Sequence, residues 1–125
     1  MCWSSKTKPV LQIAEKDIKV QKVLKKDEDG YVSPIFSFYD WTPGIVVETE
    51  LGHIHVGTRT FGICKGFHSC SEIHKEGGIW CTKITNLFAV DSGEEVVDAI
   101  IPKGSQYYLN EYGEYISNKL KLCVG

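Results

Sequence analysis

The sequence predicts a β-rich α+β domain, built from antiparallel sheet or sheets with one short helix near residues 70–76. Three observations lead there. Runs of branched and aromatic residues alternate with polar ones at the period of a strand. Turn signals such as Thr42-Pro43-Gly44 and Asp91-Ser92-Gly93 punctuate those runs at short intervals. Only one segment, Ser69–Glu72, is spaced as a helix start.

Taken in order, residues 1–12 are polar and basic with Pro9, and read as a flexible N-terminal arm. Residues 13–125 read as a single globular domain. Val10–Ala14 is a short strand or turn. From Ile18 to Leu24 branched residues alternate with lysines, a strand that ends in the polar turn 25–30 with Gly30 as its corner. Tyr31–Tyr39 is extended and interrupted by Pro34. Ile45–Glu50 is a strand, Leu51-Gly52 breaks it, and His53-Ile54-His55-Val56 places both histidines on one face. Thr58–Cys64 is extended. Ser69 as N-cap and Glu72 three residues on form a capping box, with Gly77-Gly78 as the stop, so a helix of under two turns is expected over 70–76. Strands follow over 79–90 and 95–101. Turns are expected at Pro102–Ser105 and Asn110–Gly113, with a last alternating strand over 116–124.

Bulk properties narrow the function. A chain of 125 residues with 42% hydrophobic content suits one core. Fourteen basic and sixteen acidic residues leave a net charge of -2, which argues against a surface built to neutralise nucleic-acid phosphates. Arg59 is the single arginine, hence the single bidentate fork for an anion. No apolar run reaches membrane-spanning length. The N-terminus lacks a secretory pattern, so the expectation is a cytoplasmic chain whose five cysteines (Cys2, Cys64, Cys70, Cys81, Cys123) are reduced thiols.

Reactive residues concentrate in Cys64–His74. Cys64, His68, Cys70 and His74 are candidate zinc ligands by type, yet they crowd one segment where structural zinc sites pair two distant knuckles. Buried thiols and a hydrogen-bonded His68 are the competing reading. Cys70 or Ser69 with His68 is too local for a nucleophile–base pair, because adjacent strand residues face opposite ways. Removal of Met1 leaves Cys2 as an N-terminal thiol, but nothing downstream resembles an amidotransferase. The carboxylate pairs Glu48/Glu50, Glu94/Glu95 and Glu111/Glu114 sit in no evident apolar pocket that would raise a pKa. Phe36, Phe38, Trp41, Tyr107, Tyr108, Tyr112 and Tyr115 gather around two hairpins, as cross-strand pairs or as a stacking surface. The ligand-binding candidates are therefore His53, His55, Arg59, His68, Ser69 and Tyr107. No residue pattern names a cofactor.

The phrases Met1-Cys2-Trp3, Ile13–Ile18, Lys65-Gly66-Phe67-His68-Ser69, Ala99–Tyr108 and Tyr115–Leu120 resemble a family of small uncharacterised proteins encoded by gut bacteria and their phages. That resemblance covers nearly the whole chain and implies a single phage-type domain without a defined activity. Gly66–Ser71 followed by Ile101-Pro102-Lys103-Gly104 also resembles the order of motifs in the ADP-ribosyltransferase fold. There a glutamate is expected on the last strands, where this chain reads Ser117-Asn118-Lys119-Leu120.

The reading that follows is a small non-catalytic binding module, phage-encoded, taking a host protein or a small nucleotide-like ligand, for example as an antagonist of host defence. The alternatives are an ADP-ribosyltransferase-like or other nucleotide-processing enzyme, and a zinc-stabilised structural or interaction protein.

Overall fold

In the computed structural model the described residues are 3–27, 30–32, 40–41, 44–71, 73–76, 79–82, 87–89 and 94–123. Among them every regular element is a strand. The first eight are β1 (Trp3–Ser5), β2 (Gln12–Ile13), β3 (Ile18–Asp27), β4 (Gly30–Val32), β5 (Asp40–Trp41), β6 (Val46–Glu48), β7 (His55–Val56) and β8 (Phe61–Ile63). The rest are β9 (Phe67–Cys70), β10 (Ile73–Glu76), β11 (Ile79–Thr82), β12 (Leu87–Ala89), β13 (Glu94–Ile101), β14 (Gln106–Leu109), β15 (Glu114–Ser117) and β16 (Lys119–Leu122). No helix in this part of the chain is long and apolar enough to cross a membrane.

The expected helix over 70–76 is absent, so the α+β class is corrected to all-β. Phe67–Cys70 is a strand instead, and Ile73–Glu76 another. The reason lies far along the chain. β9 pairs antiparallel with β15 over the full register Phe67↔Ser117 to Cys70↔Glu114, and Ser71 N donates to Gly113 O at 2.9 Å. A helix of under two turns forms few hydrogen bonds for the cost of its nucleus. A waiting partner strand satisfies the same backbone groups and buries Phe67, Ser69 and Cys70 as well. Ser69 is thus a buried strand residue, and Glu72, its supposed capping partner, lies outside the described residues.

The main sheet runs β2-β14-β15-β9-β3-β13-β16-β6, with β4 attached beside β3 and β5 beside β4. β15 and β16 are two halves of one bent strand, separated only by Asn118. The path β15-β9-β3-β13-β16 therefore returns to its own starting strand and closes a small barrel. Asn118 makes the bend tolerable: its side-chain Oδ1 accepts from Gln106 N at 2.8 Å, its N donates to Gln106 O, and its O accepts from Thr49 N. No ladder group is stranded at the corner.

Alternation fills the interior. Val20 and Leu24 of β3, Phe67 of β9, Val97, Ala99 and Ile101 of β13, and Leu120 and Leu122 of β16 form one buried cluster. Each fully buried aliphatic or aromatic side chain contributes about 1.5–3 kcal/mol. Ile116, one residue out of phase on β15, points the other way and joins Trp3 and Ile63 in a second buried cluster, with Leu51, Ile54 and Tyr108 against it. That cluster sits under the three-stranded sheet β1-β8-β7.

The segment expected to be an arm carries β1, whose Trp3 is 3% exposed and pairs in register with Ile63. The turn after β14 holds it. Asn110 Nδ2 donates to Ser4 O at 2.7 Å and to Glu114 Oε1 at 2.8 Å, while its Oδ1 accepts the N–H groups of Tyr112 and Glu114. Glu111 accepts from Lys6 N at 2.7 Å and from Ser5 Oγ at 2.9 Å. Burial pushes the Glu111 carboxyl up, but these donors outweigh it and hold it below its ordinary value.

Candidate functional site

The expected site residues separate into an exposed hairpin and the barrel wall. In the hairpin, β7 pairs with β8 through His55↔Gly62 and Val56↔Phe61, and Gly57 N donates to Thr60 O at 2.8 Å to close the turn. Below it Gly52 N donates to Lys65 O, so the two sides enter and leave the domain together. Alternation works here as the sequence implied. Ile54 packs against the Trp3 cluster, and His53 and His55 on either side of it are exposed. Arg59 is exposed in the turn, and Val56 is 78% exposed. His53, His55 and Arg59 thus share one protruding element.

His68, Ser69 and Tyr107 belong elsewhere. His68 is half-buried on β9 opposite Ile116. Burial, with the Lys22 charge adding to it, lowers its imidazole to about 4, so it is neutral at neutral pH. Ser69 faces the other way, opposite Tyr115, 3% exposed, and its Oγ has no hydrogen-bond partner. Tyr107 flanks the barrel core, its ring 5.6 Å from that of Tyr115 and its hydroxyl donating to Gln12 Oε1 at 3.0 Å.

The candidate zinc ligands fare differently from one another. Cys64 is half of a disulfide, which corrects the expectation that every cysteine is a reduced thiol, and removes its thiolate as a ligand in this state. Cys70 and Cys123 are free. Burial, and then the Glu114 charge, push the Cys70 thiol up to about 12, against a smaller opposing pull from Lys22. It is a protonated core residue at neutral pH. The side chain of His74 lies outside the described residues, as do Phe36, Phe38 and the side chain of Trp41. Among the described residues no three His, Cys, Asp or Glu side chains converge as a metal cage.

Two features were not foreseen. Lys22 stands between Val20 and Leu24 on the inward face of β3, and its ammonium donates to the carbonyl of His68. Burial lowers this amine to about 8. The alternation Val20-Lys22-Leu24 was visible in the sequence as a lysine in an apolar phase, but only the β3–β9 contact at Gln21↔Cys70 explains what receives it. The second is an open depression of about 460 Å3, lined by Lys19, Gln21, Ser71, Asp98, Ile100 and Cys123 among others. It takes in none of the six expected binding residues.

Comparison with protein-family models, curated proteins and solved structures returns no match.

Proposed function

We propose that this chain is a small non-catalytic binding module, of phage origin in line with its sequence resemblance, that recognises a host protein through the hairpin His53–Thr60. The observation that carries this is the exposure of that element. His53 and His55–Thr60 are all exposed, while Ile54 and Ile63 anchor it in the Trp3 cluster. A rigidly rooted loop with an exposed apolar tip is how folds commonly present a recognition surface. The single arginine of the chain stands in it, beside two imidazoles and Val56. That combination suits an acidic protein surface with a small apolar recess. The element is convex, whereas small-molecule sites are concave, so a protein is favoured here over a nucleotide.

The test is a pull-down from host lysate in parallel with titration calorimetry against a nucleotide panel, each run on the native chain and on Val56→Asp with Arg59→Glu. A host protein captured by the native chain and lost with the double variant is the expected result. Silence in both assays, or capture indifferent to the substitutions, sinks the reading.

A further inference from the structure

The two edges of the main sheet carry complementary exposed patterns. Beside β2 at one edge, the non-strand segment leading from β1 presents Lys8 and Val10 outward, with Pro9 between them buried. Val10 is 70% and Leu11 47% exposed. At the other edge, β6 and its continuation present Val46, Glu48 and Glu50 outward, while Val47 and Thr49 are partly buried. Ile45 is 57% and Val46 46% exposed.

Both edges have backbone to offer. Among the described residues β6 pairs only with β16, and β2 only with β14. Among the described residues no backbone–backbone hydrogen bond outside the strands involves Lys8–Leu11. Exposed edge backbone of this kind is a template for adding a strand. No described residue pairs with the charges of Lys8, Glu48 or Glu50, whereas the Lys6 ammonium already lies 5.9 Å over the Tyr112 ring.

We propose that the chain associates head to tail with a second copy of itself. The segment Lys8–Leu11 of one molecule adds antiparallel to β6 on the next. In the antiparallel register that sets Lys8 against Glu48, Val10 falls opposite Val46 and Leu11 opposite Ile45. Cation meets anion at one end and aliphatic meets aliphatic at the other. Cross-strand pairs of both kinds stabilise a sheet, and like charges in the same places oppose it. Shifting the register by one residue sets Lys8 against Val47 or Thr49 and loses the cation–anion pairing, so this alignment is selected. Pro9 has no N–H to donate and is tolerated at an edge. The two surfaces differ, so each added copy leaves one of each free, and growth is open-ended. This association is independent of the hairpin.

Light scattering after size exclusion, over a concentration series of the full chain, tests it. The native mass is expected to rise with concentration and to fall back towards the monomer as salt screens the pairs. Lys8→Glu and Glu48→Lys change exposed side chains, and each alone is expected to weaken association roughly tenfold. An equimolar mixture of the two variants restores Lys–Glu pairing at both edges and should reassemble. A monomer at every concentration overturns the proposal. So do single variants that assemble like the native chain, or a mixture that stays monomeric.

Discussion

The indole Nε1 of Trp3 donates to the carbonyl oxygen of Glu114 at 2.9 Å, across 111 residues of chain. This bond joins the second residue cluster to the barrel wall, because Glu114 opens β15 and Trp3 fills the space beneath β8. Trp3→Phe keeps most of the ring and removes the donor, so a loss of about 1 kcal/mol in denaturant unfolding is expected. Trp3→Ala also empties a buried site and should cost about 3–5 kcal/mol. Equal effects from both substitutions would show that the hydrogen bond, rather than the packed ring, is what holds β1.

Gly66 precedes β9 with φ at +148°, and a Cβ there would lie 2.5 Å from Ile116 Cγ1 and 2.9 Å from Leu51 Cδ2. Gly44 also has positive φ, +83°, but nothing stands within 4 Å of its missing Cβ. Gly44→Ala meets backbone strain alone, about 1 kcal/mol. Gly66→Ala adds overpacking against a side chain that is itself buried, and about 3 kcal/mol or more is expected. Thermal unfolding of the two variants side by side separates the terms, and parity between them would remove the steric account.

Stability against pH reads the two buried bases. The folded Lys22 amine, lowered to about 8 from 10.5, holds its proton less well than in the unfolded chain. From pH 8 to about 9 the unfolded state binds more protons, so stability rises with pH there, by on the order of 1 kcal/mol. Above 9 the folded Cys70 thiol, raised to about 12, keeps a proton that the unfolded chain loses and opposes the rise. Lys22→Met keeps the stem and abolishes the rise between 8 and 9. His68 is lowered to about 4 from 6.5, so the same sign places its effect lower: stability present above 6.5 is lost as pH falls towards 4. His68→Gln flattens that limb. Glu111 also contributes as pH falls, through its lowered carboxyl, so acid lability that survives in the His68 variant belongs to the Glu111 clamp. A native profile flat between 8 and 9 would contradict the buried position of the Lys22 ammonium.

How much of this was legible depends on whether the signal was periodic or pairwise. Val20, Leu24, Leu120 and Leu122 alternate in sequence and in the barrel, because period two is a property of the strand itself. The turn at Asn110–Gly113 was equally plain, since asparagine and glycine suit that geometry. The capping spacing at Ser69 was real as a pattern and wrong as structure. Local spacing competes with a partner strand over 114–117, which no local window contains. His53 and His55 were expected on one face of a strand; both are exposed, with Ile54 between them partly buried, but only His55 lies in β7. His68 and Ser69 were both expected as binding residues, although the period-two rule already sets adjacent strand residues on opposite faces. As neighbours on a strand they face opposite layers, and the same rule separates them from the hairpin. The disulfide at Cys64 was illegible for the reason the helix was misread: pairing is tertiary.

Thiol reactivity follows from the same placement. Cys64 is exposed but disulfide-bonded, Cys123 is free and half-buried, and Cys70 is free and buried. At pH 8 a thiol raised to about 12 is ionised to roughly one part in ten thousand, and the thiolate is the nucleophile. Iodoacetamide applied to the folded, unreduced chain should therefore label Cys123, leave Cys70 untouched and find no thiol at Cys64. A mild reductant should add Cys64 as a fast site, because its side chain is already in water, while Cys70 stays protected until denaturant opens the barrel. Peptide mass mapping at each stage assigns the sites. Labelling of Cys64 before reduction would remove the disulfide. Early labelling of Cys70 would instead place it outside the β9–β15 interface, and with it the strand that replaced the expected helix.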